Sequence, residues 1–167
     1  MFEAKLPRQI NVLQLAQQHV TLVGKLPLSE MKRLRSSLLD DSGTVACELN
    51  FGIDEEGIRY IKGNLTVELE LECQRCLKPV KYIINDELML AVVLSNTQAD
   101  NLASHYELLL VENDMQELLP IIEDELIVRL PIVANHNDTD CKLILAKQKI
   151  KTDKKSNPFA SLSKLKQ

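Results

Sequence analysis

Two stretches of strict alternation flank a pair of cysteines, and that arrangement leaves the middle of the chain few ways to fold. Leu65, Val67, Leu69 and Leu71 interleave with Thr66, Glu68, Glu70 and Glu72, and after Cys73-Gln74-Arg75-Cys76 the alternation resumes at Val80, Tyr82 and Ile84. A period of two is that of a strand with one dry face and one wet face. Two such runs joined by a short turn predict an antiparallel hairpin, because opposing residues must share a face. Placing Cys73 opposite Cys76 sets Leu69 against Val80, Val67 against Tyr82 and Leu65 against Ile84 on the dry side, with Glu68 against Lys81 on the wet side. Both cysteines then face inward at the hairpin tip. The alternation is expected to shift near Asp86 and to continue through Leu88, Leu90, Val92 and Leu94.

Other segments extend this pattern. Val45, Cys47, Leu49, Phe51 and Ile53 form another alternating run, closed by the turn sequence Asp54-Glu55-Glu56-Gly57, and Tyr106 to Val111 predicts a further strand. Upstream, Asn11 with Gln14 reads as a capping box opening a short helix that carries Val12, Leu15, Ala16 and His19 on one face. Ser29 is expected to cap a second helix with Met31, Leu34 and Leu38 inward and Lys32, Arg33 and Arg35 outward. Residues 95–105 are a polar loop. Asp114 and Glu117 offer another capping box before a helix with Leu118, Leu119, Ile122, Leu126 and Leu130 on one side, beginning or kinking at Pro120 and ending by Pro131. Glu123-Asp124-Glu125 is expected to coat its wet side. The fold class is therefore α+β, a single domain with an antiparallel sheet and a few short helices over residues 1–133. Residues 134–167 are expected to form a flexible, Lys-rich tail.

At 167 residues and 45% hydrophobic content the chain can bury one real core. Charge is unevenly distributed along it. Residues 142–167 hold Lys142, Lys147, Lys149, Lys151, Lys154, Lys155, Lys164 and Lys166 against the single acid Asp153, a net +7, so that the overall −4 leaves −11 on the 141 residues before them. An acidic body with a basic end suits nucleic acid, because lysines displace the counterions condensed on phosphates; a solvated tail is the plainer reading. Aromatic content of 4% and the absence of Trp argue against broad base-stacking platforms. No run approaches the roughly 20 apolar residues of a membrane span, and Met1-Phe2-Glu3-Ala4-Lys5-Leu6-Pro7 lacks the pattern of a signal peptide. The expected location is the cytoplasm, where Cys47, Cys73, Cys76 and Cys141 would be reduced thiols or metal ligands.

No catalytic constellation emerges. Gly-rich phosphate loops, nucleophile elbows and paired metal-binding histidines are missing, and five glycines make a nucleotide cradle hard to build. The expectation is a protein that is not an enzyme and has no small-molecule substrate. Cys73-x-x-Cys76 supplies two of the four ligands of a tetrahedral zinc site, and Cys141 with His136 are the only partners in view. Cys141 lies 65 positions beyond Cys76 and nothing in the sequence forces it back. Structural thiols are thus favoured over zinc, with Cys73, Cys76, Cys141 and His136 as the donor set should a metal be held. For nucleic acid, the candidate contacts are Lys32, Arg33 and Arg35 of the second helix, Arg75 and Lys78 at the hairpin tip, and Lys142, Lys147, Lys149, Lys151, Lys154 and Lys155. Asn157-Pro158-Phe159-Ala160-Ser161-Leu162 followed by Lys164-Leu165-Lys166 reads equally as a segment that docks a protein, since apolar anchors sit inside positive charge.

Four motifs in order carry a resemblance. Glu72-Cys73-Gln74-Arg75-Cys76-Leu77-Lys78-Pro79, Glu123-Asp124-Glu125-Leu126-Ile127 with Leu130-Pro131, His136 with Cys141, and Asn157-Pro158-Phe159-Ala160 together closely resemble the YceD family, as does the Lys-Leu-Pro near the start. The resemblance implies a ribosome-biogenesis factor supporting synthesis, processing or stability of 23S ribosomal RNA, without known catalysis. Its expected partner is ribosomal RNA or a pre-50S particle, with a protein partner possible through residues 157–166. The alternative is a protein-protein adaptor that influences ribosomal RNA indirectly.

Overall fold

A computed structural model describes residues 6–99, 107–111, 113–137 and 141. Its elements run β1 (Gln9–Ile10), α1 (Val12–Gln17), β2 (Thr21–Pro27), a 3₁₀ turn (Leu28–Glu30), α2 (Lys32–Arg35), β3 (Thr44–Ile53), β4 (Arg59–Glu72), β5 (Pro79–Val93), α3 (Asn96–Ala99), β6 (Glu107–Leu110), β7 (Gln116–Glu117) and α4 (Leu118–Val128). Strands β2-β3-β4-β5-β6 form one sheet in that order, and β1 pairs with β7 in a small second sheet. The chain is a single α+β domain.

The sheet is antiparallel from β2 to β5, whereas β6 joins β5 in parallel, with Leu90 opposite Glu107 and Val93 opposite Leu110. The dry face gathers Leu26, Val45, Cys47, Leu49, Phe51, Ile61, Leu65, Val67, Leu69, Ile84, Leu88 and Leu90. They share one core with Val12 and Ala16 of α1, Leu34 of α2, and Leu118, Ile122 and Leu126 of α4. Gly63 lies in this face between Leu49 and Leu88, where a Cβ would sit 2.5 Å from the Glu48 carbonyl oxygen and 2.8 Å from Leu49 Cδ2, so only glycine lets β3 and β4 approach this closely. The turn from β3 to β4 closes as the sequence suggests. The Asp54 carboxylate accepts from the N–H groups of Glu56 and Ile58, and Gly57 takes the left-handed φ of 81°.

The β4–β5 hairpin has the expected faces, but its register is slipped by two residues from the sequence reading. Leu71 opposes Val80, Leu69 opposes Tyr82, Val67 opposes Ile84, and Glu70 rather than Glu68 opposes Lys81. The cause is the tip. Cys73 N–H donates to Lys78 O and Leu77 N–H to Cys73 O, so the loop closes across Cys73 and Lys78 and Cys76 lies within it. Lys81 still reaches Glu68 diagonally, at 2.7 Å. Nor does the alternation shift at Asp86. The pairing runs unbroken from Tyr60–Ala91 to Glu72–Pro79, and Asp86 is a polar residue on the core-side parity, 3.9 Å from Arg129.

The helices correct the sequence reading in detail. Asn11 caps α1 by accepting from Gln14 N–H, as expected, but His19 falls beyond the helix end and is exposed, with φ 51°. Residues 28–30 form a 3₁₀ turn, so α2 starts at Lys32 with Met31 rather than Ser29 at its cap. Helix α4 begins at Leu118 with Pro120 inside its first turn, where a missing N–H costs nothing. Of the three acids, only Asp124 faces water; Glu123 and Glu125 are buried. No helix among the described residues is long and apolar enough to cross a membrane.

Candidate metal centre

Two elements remote in sequence converge at the end of the β4–β5 hairpin. The first is the cysteine turn. Leu77 adopts φ 58°, in the left-handed region where a side chain other than glycine is uncommon, and leaves its own side chain 69% exposed. That kink turns the loop so that Cys73 is buried and Cys76 half-buried. The second is the chain leaving α4. Beyond Pro131 it runs back along the hairpin tip, where Gln74 N–H donates to Ala134 O at 2.9 Å, Gln74 Nε2 to Ile132 O at 3.4 Å and Arg75 Nη2 to His136 O at 3.4 Å. The structure thus returns Cys141 to the hairpin, which the sequence alone did not require.

Four soft or borderline donors meet there. Cys73 Sγ lies 3.8 Å from Cys141 Sγ, and Cys76 Sγ lies 3.4 Å from His136 Nδ1. The ligand atoms of Cys73, Cys76, His136 and Cys141 all fall within 4.8 Å of one another. Because a carbonyl can only accept, the 2.9 Å contact between His136 Nε2 and Pro79 O fixes the proton on Nε2 and leaves the neutral ring's lone pair on Nδ1, aimed at the cysteines. Burial pushes the Cys73 thiol up. The N–H groups of His136, Cys76 and Arg75 outweigh that effect and bring it down to about 5. Cys76 moves the other way, through burial and through its neighbours Cys141 and Cys73. Cys47, in the sheet core, is pushed up to about 12 by burial and is a packing residue.

The candidate RNA contacts are placed differently. Lys32 and Lys78 are exposed. Arg33 is tied to Glu123 at 3.1 Å and to Asp124, and Arg35 to Asp41 at 2.7 Å. Arg75 lies in the cysteine turn. Lys142, Lys147, Lys149, Lys151, Lys154 and Lys155 lie outside the described residues, as do most of 134–167, the span expected to be a tail, and the segment 157–166. Sequence reasoning missed the carbonyl of Pro79, the partner that orients His136. Only the spacing of His136 and Cys141, five residues apart, hinted at a second donor pair.

A family profile described as "Large ribosomal RNA subunit accumulation protein YceD" matches residues 61–166, from β4 through the cysteine turn and beyond. The chain belongs to the YceD family. A curated YceD relative from Haemophilus influenzae, named "Large ribosomal RNA subunit accumulation protein YceD", is 32% identical over 173 aligned positions, covering 100% of this chain and 99% of the relative. No solved structure matches the chain. Within YceD-family terms, the matched region holds all four clustered donors.

Proposed function

We propose that this YceD-family chain supports accumulation of large-subunit ribosomal RNA as a non-catalytic binding protein, contacting that RNA or a pre-50S particle through cations gathered at the hairpin tip. The family relation supplies the process. One observation supports the location: Cys141 sits 3.8 Å from Cys73, and Lys142, the first of the eight terminal lysines, is bonded directly to Cys141. Lys78 is exposed in that same cysteine turn. The α2 arginines are already neutralised by carboxylates of their own chain and contribute less. The stripe of Glu68 and Glu70 would repel phosphate, which disfavours contact along that face of β4.

Neutralising several phosphates makes affinity fall steeply with salt. Anisotropy titrations of the full chain against large-subunit ribosomal RNA fragments over a salt series should give a steep negative log–log slope, and deleting residues 142–167 should flatten it and weaken binding. Absence of RNA affinity at low salt, together with salt-insensitive association with a protein, would favour the adaptor reading. Exposed Leu77, Ile132 and Val133 beside the same tip are the surface that reading would use.

A further inference from the structure

We propose that Cys73, Cys76 and Cys141 through Sγ and His136 through Nδ1 hold one zinc ion, which fastens the segment after α4 to the β4–β5 hairpin. Tetrahedral zinc with bonds of about 2.3 Å to sulfur and about 2.0–2.1 Å to nitrogen requires ligand–ligand edges near 3.8 Å for two sulfurs and near 3.6 Å for sulfur and nitrogen. The 3.8 Å edge from Cys73 to Cys141 and the 3.4 Å edge from Cys76 to His136 match those lengths. Three thiols and an imidazole are the donors zinc takes in closed structural sites, while hard cations prefer oxygen. This is also the one group of three or more His, Cys, Asp or Glu residues, among those described, whose ligand atoms converge so closely.

The surroundings fit an ion as well. His136 donates Nε2–H to Pro79 O, the outer hydrogen bond that orients a ligating imidazole. The need for a fastener is visible in the segment itself: Ile132 is 96% exposed and Val133 51%, so among its described residues from 132 onward only Ala134 and Cys141 are buried. A few hydrogen bonds would have to hold it without the ion. Zinc is the clasp that apolar packing does not supply here, and its role is structural, because all four positions are filled by protein. The inference is independent of RNA contact.

The test is metal analysis of the untagged full chain, purified without added zinc. The expected result is about one zinc per chain, and about one cobalt after exchange, with the visible absorption of a tetrahedral thiolate site. His136→Ala and Cys141→Ser should each fall below about 0.1 zinc per chain when dialysed against a competing chelator. Should those variants fail to fold, wild-type hydrogen exchange decides. Stripping the metal should speed exchange of the Gln74 amide and of residues 134–137 by at least about tenfold, with the β3–β4 amides unchanged. A folded wild type that takes up neither zinc nor cobalt overturns the proposal, as do iron in place of zinc, metal content undiminished in folded His136→Ala, or exchange indifferent to metal removal.

Discussion

The Glu123 carboxylate accepts the backbone N–H of Arg33 at 2.7 Å, ninety residues away in sequence, while the Arg33 guanidinium folds over the same carboxylate at 3.1 Å. Leu34 N–H donates to it as well, at 3.1 Å. One buried acid of α4 therefore satisfies the amino-terminal amides of α2, a helix of four residues with no side-chain cap of its own. Glu123→Ala would strand those amides and is expected to destabilise the fold by about 2 kcal/mol, the usual cost of unsatisfied buried donors. Arg33→Ala should cost less, because its side chain is half exposed and screened. Urea unfolding of both variants checks the order.

The same contact gives stability a pH dependence. Burial alone would raise the Glu123 carboxyl, but the amides of Leu34 and Arg33 and the guanidinium together hold it below its ordinary value. A depressed folded value means that stabilisation is complete above the unfolded value, near 4.3, and is lost as pH falls through the folded one. Glu125 has the opposite sign: burial raises it, so its contribution is present at low pH and declines as pH rises through its folded value. The stability gap between wild type and Glu123→Gln should therefore narrow between about pH 7 and about pH 3, as unfolding midpoints across that range would show. A constant gap would mean that the carboxylate charge plays no part.

Gly63 tests the sheet. A methyl group there meets backbone on β3, which cannot swing aside as a side chain can. Gly63→Ala is expected to cost roughly 1–3 kcal/mol through overpacking. Gly57→Ala has open space around it and should cost about 1 kcal/mol, through its left-handed backbone alone. Thermal unfolding of the two variants separates the effects.

How far the sequence could be read depended on the range of each interaction. Faces of the strands and the Asn11 cap are local properties, and alternation or a three-residue spacing reveals them. Register failed by two residues because it depends on how the cysteine loop closes, and Leu77 at positive φ gave no warning. The parallel pairing of β6, the β1–β7 pair and the burial of Glu123 rest on partners far away in sequence. The donor cluster was half legible: Cys73 and Cys76 announce themselves, but only the path of the chain after α4 brings His136 and Cys141 to them.

Lys78 and Lys32 are both exposed, one at the hairpin pole and the other on α2, and substituting each in turn tests most directly whether RNA contact is confined to that pole. In anisotropy titrations against a large-subunit ribosomal RNA fragment, Lys78→Glu should weaken affinity and reduce the salt slope by about 1 or more, while Lys32→Glu leaves both nearly unchanged. Equal losses at the two positions, or none at Lys78, would contradict the assignment of binding to the cations around the cysteine turn.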